Sequence, residues 1–231
     1  MNKDIFIKEI NKLGVFISEN QYEKLEKYCE FLIQYNEKIN LTSIVKKEDI
    51  FLKHFYDSLT IVKAIDLNKK INLCDFGTGA GFPGVVIKIF FDEINLTLIE
   101  SSSKKIIFLE ELIKKLDLKK IKIEKARVEE YKKEKFDLVT CRAVSRLSVI
   151  SEICCDIVKI NGYFIPMKAD IEQEINNINR IDVLGFKLEN IIKFKLPIEN
   201  SVRSLVVLKK IKQNKSGYPR NYKKIINNPL F

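Results

Sequence analysis

Apolar positions along the chain follow two rhythms, and the change comes near residue 66. Before it the spacing is helical. Ile5, Phe6, Ile10 and Leu13 mark a short helix over 3–13, with Gly14 as its stop. Ser18-Glu19-Asn20-Gln21 has the form of a capping box. Behind it Tyr22, Leu25, Cys29, Leu32, Ile33 and Ile39 fall on one face of a long helix, which Asn40-Leu41-Thr42 breaks. A third helix is predicted from about Lys47 and carries His54, Asp57 and Leu59.

After residue 66 short apolar runs alternate with helical stripes. Strands are predicted at 71–76, 95–100, 121–126 and 136–141, with helices at 84–91, 103–116 and 146–159. Ile106, Ile107, Leu109, Leu112, Ile113 and Leu116 form the best-defined stripe. A strand at 162–167, a helix at 170–183 and two closing strands at 186–196 and 203–210 follow. Alternation of this kind implies an α/β fold, a doubly wound Rossmann-like sheet whose final hairpin makes the last strand antiparallel. The chain divides into an N-terminal helical extension (1–66), the core (67–211) and a tail (212–231).

The stretch from Asp75 to Gly84 joins the first strand to the next helix and holds Gly77, Gly79, Gly81 and Gly84. Such a turn lets a ligand lie against the backbone over the carboxyl ends of a parallel sheet. The first three glycines recur at every second residue, which is not the GxGxxG spacing of dinucleotide loops. Glu100, nineteen residues beyond Gly81, closes the next strand, where an acid would hold two ribose hydroxyls. Asp75 at the loop entrance would repel a pyrophosphate but suits the ammonium of a methionine moiety. The loop therefore points to S-adenosylmethionine; a purely structural turn is the alternative. Arg127-Val128-Glu129 follows the third strand, where the topology flanks an adenine, unless Glu129-Glu130 is a solvated helix start. Arg142 leaves the fourth strand, facing the methyl donor, and is the best catalytic candidate.

Composition narrows the partners. The 231 residues are 46% hydrophobic and can bury a single good core, and no apolar run approaches the ~18 residues of a membrane span. The five cysteines (Cys29, Cys74, Cys141, Cys154, Cys155) show no CxxC spacing and read as reduced, buried thiols of a cytoplasmic protein. With one histidine, His54, no metal site is expected. The net charge is +10, and after Glu199 there are eight Lys or Arg and no acid. A lysine-rich source explains abundant lysine but not the missing acids, so the basic end suits a polyanion. The proline-punctuated tail is expected to be partly disordered or a partner-binding arm.

Several chemistries lack their signatures. Cys141 as a nucleophile would need an activating base and usually follows proline, and neither is evident. The Asp/Asn-Pro-Pro-aromatic motif of amino-group methylation is absent. His54 stands alone, either structural or a general base. A ring nitrogen such as guanine N7 has a lone pair and no proton to lose, so alignment of the reactants suffices for its methylation.

Asn40-Leu41-Thr42, His54-x-x-Asp57-Ser58-Leu59, the loop from Gly77 to Gly84, Arg127-Val128-Glu129, Thr140-Cys141-Arg142-Ala143, Met167-Lys168 and Arg203-Ser204-Leu205-Val206-Val207 fall in order along the chain. With these the sequence resembles the small-subunit rRNA methyltransferase G family (RsmG, also called GidB) over nearly its whole length. Tyr218-Pro219-Arg220 fits the same pattern. Cys141, commonly serine there, and Glu100, commonly aspartate, depart from it. The resemblance implies methyl transfer from S-adenosylmethionine to N7 of a guanine in a decoding-centre loop of 16S rRNA, by a monomer acting on the small ribosomal subunit. It maps cofactor contacts to Gly77, Phe82, Val128, Glu129 and Arg142, with Gly79 in the loop and Glu100 on the ribose side. Methylation of another RNA or a small molecule, and nucleic-acid binding without turnover, are the competing expectations.

Overall fold

The central strands are apolar on both sides, and the fold uses both. In the computed structural model, which describes every residue except 177, Leu73, Leu98, Leu138 and Ile165 face one apolar layer while Cys74, Ile99, Val139 and Phe164 face the other. This two-sided burial is what a parallel sheet between helical layers requires. The strands are β1 (Asn72–Phe76), β2 (Asn95–Glu100), β3 (Ile121–Lys125), β4 (Phe136–Arg142), β5 (Val158–Lys168), β6 (Phe186–Lys195) and β7 (Val202–Lys210). Their order in the sheet is β3-β2-β1-β4-β5-β7-β6; β1 to β5 pair in parallel and β7 runs antiparallel to β5 and β6. The order reverses at β1, so a crevice opens beyond the carboxyl ends of β1 and β4.

One layer holds α1 (Lys3–Asn11), α2 (Glu19–Asn36), α5 (Gly84–Phe90) and α6 (Ser103–Lys115). Ser18 caps α2 in the expected reciprocal box with Gln21. The same layer takes a broken helical run: α3 (Lys47–Ile50), a π-helical turn over Phe51–Tyr56, α4 (Asp57–Leu59) and a 3₁₀ turn over Thr60–Lys63. The opposite layer is built from α7 (Leu147–Ile153), a 3₁₀ helix over Ile178–Leu184 and α8 (Tyr222–Asn227).

Two predicted helices are corrected. The segment read as 146–159 stops at Ile153, and β5 already begins at Val158. The register shifts between the pairs Phe136–Val158 and Leu138–Tyr163, with Asn161 at φ 67°, while Ile157 and Val158, which gave the helical pattern its apolar end, are buried at the start of the strand. The segment read as 170–183 is a series of turns and then the 3₁₀ helix; residue 177 lies outside the described residues. Ile178, Ile181 and Leu184 are buried at a spacing of three, which suits three residues per turn better than 3.6.

The tail departs most from expectation, because it is folded onto the core. Ile225 and Leu230 are buried, and Asn214 donates to Asp156 Oδ1 and to the Tyr218 carbonyl. Arg220 clamps Glu152, which is 0% exposed: its backbone N–H, Nε and Nη2 reach the carboxylate at 2.9, 2.7 and 2.6 Å. Lys212, Lys215, Lys223 and Lys224 remain exposed around this anchor. Among the described helices none is long and apolar enough to cross a membrane.

Removing one partner of a buried ion pair leaves an uncompensated charge. Arg220→Ala is expected to lower unfolding free energy by about 3–5 kcal/mol in urea titrations. Lys223→Ala, at an exposed position, should change it by less than about 0.5 kcal/mol.

Candidate active site

The loop after β1 needs each of its glycines for a different reason. All three of Gly77, Gly79 and Gly81 have positive φ (63°, 59° and 95°). A Cβ on Gly77 would lie 2.8 Å from Val144, and one on Gly81 would lie 2.7 Å from the Tyr28 hydroxyl. A Cβ on Gly79 would find nothing nearer than the Gly77 carbonyl at 4.0 Å, so this glycine faces open space. The loop is thus closed on two sides and open at its middle, the shape of a cradle.

Asp75 does not face that opening. Its carboxylate is turned inward, where Oδ2 accepts from Thr78 Oγ1 at 2.7 Å and Gly84 N–H at 2.8 Å and ties the two ends of the loop together. Burial pushes this carboxyl up to about 7. Its other oxygen, Oδ1, is buried without a hydrogen-bond partner among the described residues, so the carboxylate has a structural role and also keeps one acceptor open, as the expected contact with a methionine ammonium requires. Glu100, at the end of β2, does face the loop: Oε2 accepts from Gly79 N–H at 3.1 Å, and Oε1 from the N–H groups of Ser101 and Ser102 at 2.9 Å each. A carboxylate has about four acceptor sites, so one remains for a ligand hydroxyl.

After β3, Val128 is buried and Glu129 sits in a short 3₁₀ turn. Glu129 Oε1 is buried without a hydrogen-bond partner among the described residues, with the Arg127 guanidinium 3.7 Å away. A buried acceptor left open in this way suits an N–H donor from a ligand. Glu129 also lines an open cavity with Tyr218, Arg220 and Tyr222 of the tail.

At the other end of the crevice stands Arg142, the last residue of β4. Its Nη1 donates to Asp57 Oδ2 at 2.8 Å and to the Lys53 carbonyl at 3.3 Å, and Nη2 lies 3.2 Å from His54 Nδ1. Asp57 holds a second guanidinium, Arg203 of β7, whose Nε is 3.3 Å from Oδ1. The π-helical turn at Phe51–Tyr56 and the start of α4 aim these groups: together they present the Lys53 carbonyl, His54 and Asp57 to one guanidinium. Such turns are rare and recur at functional sites. Phe82, from the glycine loop, stacks on both Tyr28 and His54, with ring centroids 5.2 and 4.4 Å apart, and the Arg142 guanidinium carbon is 5.3 Å from its centroid. Tyr28 also donates to the Ala80 carbonyl. Loop, β4 exit and N-terminal extension therefore meet in one stack.

Beyond Arg142, Ala143 takes φ 55°, a conformation costly for a residue with a Cβ. Lys168 holds the following turn through the Ser145 carbonyl at 2.8 Å and pairs with Glu174 at 2.9 Å. A cavity of about 380 Å³ opens here between the ends of β4, β5 and β7. Cys141 is buried and its thiol is pushed up by that burial, so it holds no thiolate.

The predicted residues thus fall in three groups: Gly77, Gly79 and Glu100 at the loop after β1; Phe82 and Arg142 in the stack with His54; and Val128 and Glu129 in the turn after β3. Tyr28, Asp57 and Arg203 complete the site and were not assigned roles from the sequence. Asp57 and Arg203 lie in motifs quoted above, but nothing in their spacing shows that they meet. Tyr28 is hidden among the apolar positions of α2.

His54 is largely buried, with Nε2 2.9 Å from Thr42 Oγ1 and Nδ1 facing Arg142. Burial, and then the Arg142 charge, hold it down to about 3. Its ring is expected to stay neutral from pH 5 to 8; ring ¹⁵N shifts followed through that range should show no protonation, and a midpoint near 6.5 would contradict this environment. The sign for stability follows. The unfolded chain binds the proton below about 6.5 and the folded one does not, so this residue's contribution is present above 6.5 and declines as pH falls toward 3.

The model of the family described as rRNA small subunit methyltransferase G matches residues 21–202. A relative from Bacillus subtilis (strain 168), named ribosomal RNA small subunit methyltransferase G, is 44% identical over 227 residues, 95% of either chain. One of the same name from Desulforamulus reducens is 47% identical over 211 residues, 88% of either chain. Among solved structures, a SAM-dependent methyltransferase from Aquifex aeolicus overlays with TM-score 0.56 at 15% identity, covering 78% of this chain and 98% of that one. A SAM-dependent O-methyltransferase from Thermotoga maritima gives 0.54 at 16%, with 80% and 73% covered. These two share the fold, that of S-adenosylmethionine-dependent methyltransferases. The chain belongs to the rRNA small subunit methyltransferase G family.

Proposed function

We propose that the protein transfers a methyl group from S-adenosylmethionine to N7 of a guanine in a decoding-centre loop of 16S rRNA, acting as a cytoplasmic monomer on the small ribosomal subunit. One observation carries the choice of a ring nitrogen. Beside Arg142 the His54 ring is held down to about 3 and the Cys141 thiol is buried and pushed up, so neither supplies a base. A nucleophile that must lose a proton would need a base there, and guanine N7 does not.

The cradle at Gly79 and the open acceptor on Glu129 fit the cofactor. On this reading Gly77 and Gly79 let it approach the backbone, Glu100 accepts from its ribose, and Val128 and Glu129 meet its adenine. Phe82 and Arg142 border its methionine end. The bound sulfonium supplies an electrophilic methyl group. The chain's own part is alignment: the ring stack of Tyr28, Phe82 and His54 fixes the loop against the β4 exit, and Asp57 keeps Arg142 extended. Proximity and orientation of this kind supply much of a methyl transfer's rate. Residues 1–66 act as part of the site rather than as a separate module, because Tyr28, His54 and Asp57 come from them. The exposed lysines of the tail, 212–231, meet phosphate.

Arg142→Lys keeps the charge and loses the planar fork. Loss of one charge-assisted hydrogen bond, about 1.5–3 kcal/mol, should lower kcat/KM roughly ten- to over a hundredfold with small subunits from a strain lacking the modification. Mass mapping of the product should find one 7-methylguanine; a methyl group on an exocyclic amine or a pyrimidine would refute the assignment. Gly79→Val should lose S-adenosylmethionine binding by calorimetry while its circular dichroism spectrum is kept.

Because the tail is anchored, its charge can be tested without deleting it. Changing Lys212, Lys215, Lys223 and Lys224 together to Gln should weaken rRNA binding and flatten its salt dependence, with cofactor affinity and the urea midpoint unchanged. An unchanged salt slope would mean that these lysines do not touch RNA.

A further inference from the structure

The cavity beside Arg142 is not lined by the glycine loop, Glu100 or Glu129. It is a second compartment that adjoins the cofactor crevice at Arg142 and Ala143. Its volume, about 380 Å³, is at the small end of ligand sites, which run from about 300 to 1,000 Å³. One wall is the half-buried ring of Phe194 on β6, and another is Arg203. The donors of Arg203 are unevenly used. Nε faces Asp57 and Nη1 donates to the Val202 carbonyl at 2.9 Å, whereas Nη2 lies 3.9 Å from Glu199, beyond hydrogen-bond reach. Nη2 therefore keeps its donors for something else in or beside the cavity.

An aromatic face plus an arginine donor in a base-sized pocket is the chemistry of a nucleobase site. Guanine presents an O6 acceptor next to N7, whereas adenine presents an amino donor there. N7 in an RNA duplex lies in a deep groove that side chains do not read, so the target must come from a loop or be turned out of its stack. We propose that this cavity receives the extruded target guanine, with Phe194 against its face and Arg203 donating to O6, so that N7 points toward Arg142 and Ala143. This rests on the function proposed above and adds to it the residues that seat and select the base. Phe194 is a stacking residue and Arg203 the specificity determinant. A donor to O6 leaves N7 open to the methyl group, whereas a donor to N7 would block it.

The chain contains no tryptophan, so a Phe194→Trp variant carries a single indole in the cavity. Its emission should be quenched by rRNA from a strain lacking the modification and by GMP, less by AMP, and not by S-adenosylmethionine alone. Phe194→Leu should slow single-turnover methylation at saturating cofactor by about 5- to 150-fold, the equivalent of one lost base–aromatic stack, with an unchanged dissociation constant for the cofactor. Quenching by S-adenosylmethionine but not by RNA, or a weakened cofactor affinity in Phe194→Leu, would assign the cavity to the cofactor and overturn the proposal. So would wild-type rates in Phe194→Leu. If the wild-type protein itself fails to methylate the rRNA, the proposed function falls and takes this assignment with it; an active wild type with unaffected variants removes the pocket assignment alone.

Discussion

Three distant stretches of chain converge on one carboxylate. Asp57, from the N-terminal run, lies between Arg142 at the end of β4 and Arg203 on β7, and it is buried. A buried carboxylate needs opposite charge and hydrogen bonds to offset its desolvation, and either guanidinium alone would be held less firmly. The pairing ties the helical extension to the β4 exit and to β7. It also shapes one wall of the cavity of about 380 Å³, because Asp57, Arg142 and Arg203 all line it. His54 belongs to the same arrangement. Placed against a fixed guanidinium and away from water, its ring is held neutral and serves as a stacking surface for Phe82.

The glycine loop depends on a second inward carboxylate. Asp75 ties Thr78 to Gly84 beneath the loop, while Glu100 holds Gly79 from the side. The loop is thereby held at both ends and from the side, and among Gly77, Gly79 and Gly81 only Gly79 has open space beside it. Catalysis by alignment needs rigid supports more than reactive groups, and both acids supply rigidity.

Much of this was legible in the sequence. The strands that pack on both faces read as short apolar runs, α6 and the α2 capping box stand where the pattern puts them, and the antiparallel close of the sheet follows from the last hairpin; within the expected α6 stripe Ile107 is exposed and Phe108 is buried instead. The glycine spacing and the distance to Glu100 brought loop and acid together, as the bond from Gly79 N–H to Glu100 shows. Other features depend on contacts between residues far apart in the chain. The π-helical turn at Phe51–Tyr56 has the apolar content of an ordinary helix, and its use appears only when Arg142 is opposite. The inward turn of Asp75 is decided by the N–H of Gly84 and the hydroxyl of Thr78, which spacing does not reveal. The tail has the composition of an unfolded arm, yet Glu152, an acid inside the apolar stripe of α7, holds it through Arg220. An unexplained acid on a buried helix face was the available signal for that anchor.

The most direct measurement of the role given to Asp57 is a double-mutant cycle with Arg142, read as single-turnover methylation of small-subunit rRNA. Asp57→Asn and Arg142→Gln should each slow the reaction, and the double variant should be little slower than Arg142→Gln alone, with a coupling energy of about 1–3 kcal/mol. Effects that simply multiply would mean that Asp57 does not act through Arg142, and would contradict the arrangement on which the site is built.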